Sequence, residues 1–258
     1  MKNIFSAIWT ESLKITKSKI FWITILAFLL IPILTGLLVF ITKNPDLSVK
    51  LGMVGSKAAL FGNSDWPAYF KLLNLSISLL GLLGFGFITS WVFGREYSDR
   101  TVKDLLALPV SRSTIVISKF IVIAIWCILL SIVSLVFGFV IGLIIQLAGW
   151  SSEIVFHGVY IYTIASILTI LLSTPVAFFA SYGRGFLPPM GFVFLSMVIA
   201  QFIGLVNLGP YFPWAIPALF ASATETATIG IVSYIILSLT SILGLIGTLL
   251  WWRYADQY

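Results

Sequence analysis

Six intervals of this chain run for twenty residues or more without a charged side chain: 20–42, 72–94, 120–152, 158–183, 185–224 and 226–252. An α-helix needs about 20 apolar residues to cross the hydrocarbon core of a bilayer, and each interval supplies them. Inside lipid every backbone N–H and C=O must find a partner within the protein, which leaves only helices and closed barrels as spanning structures. A barrel strand alternates polar and apolar residues, and runs such as Ile25–Leu38 or Ile128–Ile145 do not alternate. Charged residues make up only 9% of the chain, against about 25% in soluble domains. The fold class expected is therefore an all-α integral membrane protein, one domain over 1–258, with transmembrane helices at about 21–41, 72–93, 115–147, 159–181, 187–208 and 229–252.

The net charge of +6 is explained by topology, so no nucleic-acid partner is expected. If the spans alternate, Lys2, Lys14, Lys17, Lys19, Arg95, Arg100, Lys103, Arg112, Lys119, Arg184 and Arg253 fall on one side. The positive-inside rule makes that side cytoplasmic, with both termini, in a multi-pass protein of the cell membrane. The opposite side carries Lys43, Lys50, Lys57 and Lys71, all in the loop 42–71. The apolar run Ile20–Ile41 is longer than the core of a signal peptide and is expected to remain as the first span. Cys127, the one cysteine, falls inside the third span and reads as a small apolar filler.

Residues 3–19 read as an amphipathic interfacial helix, with Phe5, Ile8, Trp9 and Leu13 on one side and Lys14 and Lys17 placed to meet lipid headgroups. A simple membrane anchor would look the same. Trp66 in the loop 42–71, and Trp251, Trp252 and Tyr254 at the end of the last span, are expected at the membrane surface. Ser111 is placed to cap the third span, Gly138-x-x-x-Gly142 permits close helix approach, and Pro188-Pro189 fits the first turn of the fifth. The interval 185–224 is longer than one helix but interrupted by Gly209-Pro210, Pro213 and Pro217, interleaved with Tyr211, Phe212 and Trp214. It is expected to end a span near Leu208 and continue as a broken, re-entrant outer segment before the sixth span.

Several chemistries are missing. There is no G-x-x-x-x-G-K-[ST] phosphate loop and one histidine, His157, which reads as an interfacial polar residue. No paired carboxylates, Ser/His arrangement or metal-ligand cluster lies in the spans, so neither an enzyme nor a metal site is expected. No charge is expected well inside a span, which argues against a proton- or ion-coupled carrier.

Charge is instead concentrated between the second and third spans. Eight of the 24 charged side chains lie in Arg95–Lys119. Asp99 can N-cap a short helix there, whose Val102, Leu105, Leu106 and Leu108 form an apolar stripe. Such a helix either rests in the interface or offers a soluble partner a grip.

The succession Glu96-Tyr97-x-x-x-Thr101-x-x-x-Leu105-Leu106-x-Leu108-Pro109-x-Ser111-Arg112 resembles the coupling-helix signature of ABC-2 type exporter permeases. The chain's layout is similar to that family over almost its full length. Tyr211-Phe212-Pro213-Trp214-x-x-Pro217 resembles the bacitracin-transport branch. The resemblance implies a homodimeric permease bound to two copies of a separate ABC ATPase, with ATP and Mg held on that partner and no cofactor on this chain. It further implies that Glu96 and Arg112 hold the hairpin and meet polar ATPase groups. Leu105, Leu106 and Leu108 would fill an apolar cleft on the ATPase, Thr101 would set the helix start, and Pro109 would fix the turn. The cargo implied is an amphiphilic peptide antibiotic, drug or lipid-like compound entering from membrane lipid. An immunity or sensing complex that removes a peptide without transporting it remains an alternative, as does a passive channel or secondary transporter.

Overall fold

The helices begin and end where identifiable groups satisfy the backbone. In this computed structural model, residues 2–50, 64–107, 109–222 and 229–255 are described. They form α1 (Lys2–Thr16), α2 (Lys19–Lys43), α3 (Pro45–Lys50), α4 (Trp66–Ser98), α5 (Val102–Leu106), α6 (Arg112–Ile144), α7 (Ser152–Leu171), α8 (Thr174–Tyr182), α9 (Leu187–Leu205), α10 (Ile216–Ser222) and α11 (Ile231–Tyr254). Among the described residues six helical segments are long and apolar enough to cross a membrane, α7 and α8 together making the fourth. The protein is thus an all-α, multi-pass membrane protein.

Side chains of Asp65, Ser111 and Ser151 accept backbone N–H bonds at the starts of α4, α6 and α7, filling the donors that a helix leaves open. At the other end, Arg100, Gln146, Arg184 and Asn207 adopt positive φ just past α4, α6, α8 and α9. At α4 the Thr101 N–H reaches the Glu96 carbonyl at 2.9 Å and the Arg100 N–H that of Tyr97 at 3.2 Å, a Schellman termination with arginine where glycine is usual. Lys43 donates to the Ile145 and Gln146 carbonyls at 2.7 and 2.8 Å, placing a cation at the negative end of α6.

α4 is central and packs against α2, α6, α7, α8, α9 and α10. It starts at Trp66, six residues before the expected span, because Asp65 caps it and Lys71 is exposed rather than embedded. Trp66, at the helix start, is buried between helices: its ring lies over Gly142, where a Cβ would come within 2.5 Å of it. One turn away Gly138 admits Leu73, and the Tyr69 hydroxyl donates to the Gly138 carbonyl at 2.9 Å. The two glycines therefore seat α6 directly on α4. Trp252, in the last turn of α11, is also buried, and its indole N–H donates to Ser181 at 2.9 Å.

The fifth transmembrane helix ends at Leu205 rather than near Leu208. Two 3-10 turns, Gly209–Tyr211 and Pro213–Ala215, then lead into α10. α10 packs against α4 and α7, and Ser78 donates to the Pro217 carbonyl at 3.1 Å. Residues 51–63, including Lys57, and 223–228 of the outer segment lie outside the described residues.

Candidate functional site

α1, the end of α4, the start of the 99–111 hairpin and the second turn of α6 converge on one ammonium group. Lys119 is 0% exposed, and its Nζ donates to Glu11 Oε2 and to Glu96 Oε1, both at 2.8 Å. Lys14 Nζ closes the other side, 2.7 Å from Glu11 Oε1 and 3.0 Å from Glu96 Oε1. The remaining Glu96 oxygen accepts from the Thr101 hydroxyl at 2.6 Å. Glu96 and Glu11 are 1% and 5% exposed. Arg95 Nε adds a longer contact to Glu96 Oε1 at 3.8 Å from the rim. Lys119 and Lys14 thus neutralise the two carboxylates in a site nearly closed to solvent, as buried charges require.

Helix geometry makes this assembly possible. On α1, Ile8, Glu11 and Ile15 follow the i, i+3, i+7 spacing of one face; Ile8 and Ile15 join the core and Glu11 is carried in with them. Burial pushes the Glu11 carboxyl up, but Lys119 and then Lys14, through charge and hydrogen bonds, outweigh it and hold the group below its ordinary value. Lys119 is seven residues into α6, facing the last turns of α4, where it also approaches the Val92 carbonyl at 3.4 Å.

The residues singled out from sequence separate into inward and outward sets. Glu96 holds the hairpin, as its contacts with Thr101 require, but its burial leaves no face for another protein. Tyr97 packs its ring against Trp252. Asp99 does not N-cap the hairpin helix: it is the C-cap of α4, because the Schellman turn carries α4 through Ser98. Thr101 occupies the N-cap position of α5 without capping it, since its hydroxyl is committed to Glu96. Leu105 packs inward against the core beside buried Val102. Leu108 and the Leu106 side chain lie outside the described residues. Pro109 is exposed. Arg112 donates to the Trp252 and Arg253 carbonyls at 3.2 and 3.3 Å, tying the hairpin to the end of α11 rather than to Glu96. Asp99, Arg100, Lys103 and Asp104 form the exposed charged rim.

On α1, Lys14 is drawn into the cluster instead of meeting headgroups, while Lys17 is exposed. Phe5, Trp9 and Leu13 form an exposed apolar stripe and Ile8 turns to the core. At the opposite end of the bundle Tyr211 is exposed, Pro213 and Trp214 are half-buried, and Pro217 is buried. Sequence reasoning took Lys119 as the end of a charged loop and did not single out Glu11. The available signal was that Glu11 is the only acid before Asp46 and shares a helical face with Ile8 and Ile15.

A bundle of six helices long and apolar enough to cross a membrane, with a charged hairpin bound to an amphipathic N-terminal helix at one end, defines a polytopic membrane protein. Residues 7–201 match the family described as ABC-2 family transporter protein, and the chain belongs to that family. It is also 31% identical to the bacitracin transport permease protein BCRB of Bacillus licheniformis, over 189 residues that cover 72% of this chain and 91% of that protein. The chain is therefore an ABC-2 type permease, a transmembrane transporter subunit, and the family implies association with an ABC ATPase.

Proposed function

We propose that this chain is the permease of an ATP-driven exporter in which a separate ATPase hydrolyses ATP, with ATP and Mg bound there and no enzymatic activity on this chain. The observation that carries the reading is the Glu11–Lys119–Glu96–Lys14 cluster, which fastens α1 to both sides of the hairpin. A force applied to the exposed rim of α5 reaches α4, α6 and α1 together through that cluster. In this reading α5 is the coupling helix. The ATPase is met by Arg100, Lys103 and Asp104, while Glu96, Thr101 and Leu105 transmit from inside.

Two permeases and two ATPases form the working unit, in the cell membrane, with the hairpin and both termini cytoplasmic by the charge distribution. The segment 209–222 is re-entrant from the outer side. Support comes from Ser78, twelve residues and hence about 18 Å along α4 from its start, which meets Pro217. The bacitracin permease relative supports an amphiphilic peptide antibiotic as cargo.

The test is affinity capture of the tagged chain from its native membrane in mild detergent, with ATPase activity measured on the eluate. A phosphate-loop ATPase should co-purify, and Lys103→Glu with Asp104→Lys should release it while the permease remains inserted. Undiminished ATPase recovery with that variant refutes α5 as the docking element.

A further inference from the structure

At the end of the bundle away from the hairpin, a cavity of about 510 Å³ opens between the first turns of α4 and α7 and the end of α10. That volume lies in the range of small-molecule sites, about 300–1,000 Å³. Lys71, Glu153 and His157 line it together with Phe70, Phe156 and Asn74. Asn74 is 2% exposed, and among the described residues its buried Oδ1 has no hydrogen-bond partner. A buried amide oxygen in that state is costly, so a ligand N–H that reaches it is favoured. Lys71 and Glu153 line the same space, and among the described residues neither is in an ion pair, so the cavity offers one positive and one negative group to a ligand.

Depth and surroundings narrow the ligand. Asn74 is eight residues along α4 from Trp66, about 12 Å from the helix start, whereas Lys71 and Glu153 are nearer the ends of their helices. Phe156 is strongly exposed at the cavity and begins a stripe with Tyr160 and Ile167, also exposed, as a lipid-facing helix surface would be. The cavity thus sets charged groups near the helix starts beside an apolar surface, the arrangement that suits a lipid headgroup with its chains.

We propose that this cavity binds the headgroup of a zwitterionic lipid with a primary ammonium, of the phosphatidylethanolamine class. The phosphate pairs with Lys71, the ammonium donates to Glu153 and to Asn74 Oδ1, and the acyl chains leave past Phe156. A choline headgroup has no N–H to give Asn74, and a glycerol headgroup leaves Glu153 without a cation. The site is remote from the charge cluster and does not depend on the transport direction or cargo.

Native mass spectrometry of the full chain in mild detergent, titrated with short-chain phosphatidylethanolamine, phosphatidylcholine and phosphatidylglycerol, tests it. One charge-assisted hydrogen bond predicts that the ethanolamine lipid is retained roughly tenfold better than the other two. Asn74→Leu should abolish the preference over choline. Glu153→Gln, a change at an exposed side chain, should remove the preference over phosphatidylglycerol while the preference over phosphatidylcholine stays. Equal retention of all three lipids by the unaltered chain, or an undiminished preference over phosphatidylglycerol in Glu153→Gln, overturns the assignment. So does capture of a cationic amphipathic peptide, blocked by Glu153→Gln, with no lipid preference. Because no ATPase is present in the measurement, loss of the coupling reading leaves this result untouched.

Discussion

Replacing Lys119 with methionine removes the ammonium that two carboxylates share while keeping most of the side-chain volume. Glu11 and Glu96 each lie 2.8 Å from Nζ, so their oxygens are at most about 5.6 Å apart, where like charges repel by about 3 kcal/mol at an effective dielectric of 20. Lys14 still bridges them, but from a partly exposed position, and it cannot replace both lost bonds. Breaking a buried ion pair from one side costs about 3–5 kcal/mol. For a chain of this size each kcal/mol moves the unfolding midpoint by about 2–4 °C, so Lys119→Met should lower it by about 6–20 °C. Intrinsic tryptophan fluorescence during heating in detergent reads this directly.

The sharper measurement is the double variant. Lys119→Met with Glu96→Gln leaves a single Glu11–Lys14 pair and no excess carboxylate, and should recover at least half of the loss, since deleting both partners of a buried pair is far cheaper than deleting one. A single variant that loses less than about 2 °C, or a double variant as damaged as the single, refutes the claim that the cluster is a closed, mutually neutralising unit.

Two further outcomes are expected. The Glu11 carboxyl is held below its ordinary value of 4.5, so its contribution to docking α1 is complete above that pH and disappears as pH falls through the lowered value. Limited proteolysis of α1 should therefore be constant from neutral pH down to the carboxylate range and rise below it; a change centred near neutrality would contradict the burial of Glu11. Gln146 sits in the left-handed region at φ 55 after α6, where a side chain costs about 1–2 kcal/mol. Offset by the greater freedom of unfolded glycine, Gln146→Gly should raise stability by about 0.5–1 kcal/mol, read as a higher melting midpoint.

The spans were legible because lipid imposes its constraint on every residue of a helix at once: intervals without charge mark them within a turn or two. The ends were not, because a charge was read as a boundary. Lys71 lies inside α4 because its side chain is exposed near the helix start, while Lys119, already within the expected third span, is buried there because two carboxylates neutralise it. Trp66 and Trp252 do stand near span ends, but what the sequence does not show is that a neighbouring helix covers each of them. Gly142 covers the first and Ser181 receives the second, and neither pairing is local in sequence. Glu11 was hidden for the same reason: its partner is 108 residues away.

In the coupling role proposed for the hairpin, a partner would push on α5, and the cluster bears on why such a push would not be dissipated. α5 is one short turn of helix, too brief to be stable on its own. It is fixed instead at both ends, by Thr101 on Glu96 and by Arg112 on the carbonyls closing α11. Pulling Glu96 outward would leave buried Lys119 with Glu11 as its one remaining carboxylate and would break the bonds to Lys14 and Thr101, and that cost of several kcal/mol makes displacement of the hairpin alone less favourable than moving α1, α4 and α6 with it. A network of neutral hydrogen bonds would yield more easily, each worth only about 1 kcal/mol net. The choice of buried charge at this junction, where stability alone would be as well served by leucine and methionine, is what a rigid mechanical joint requires.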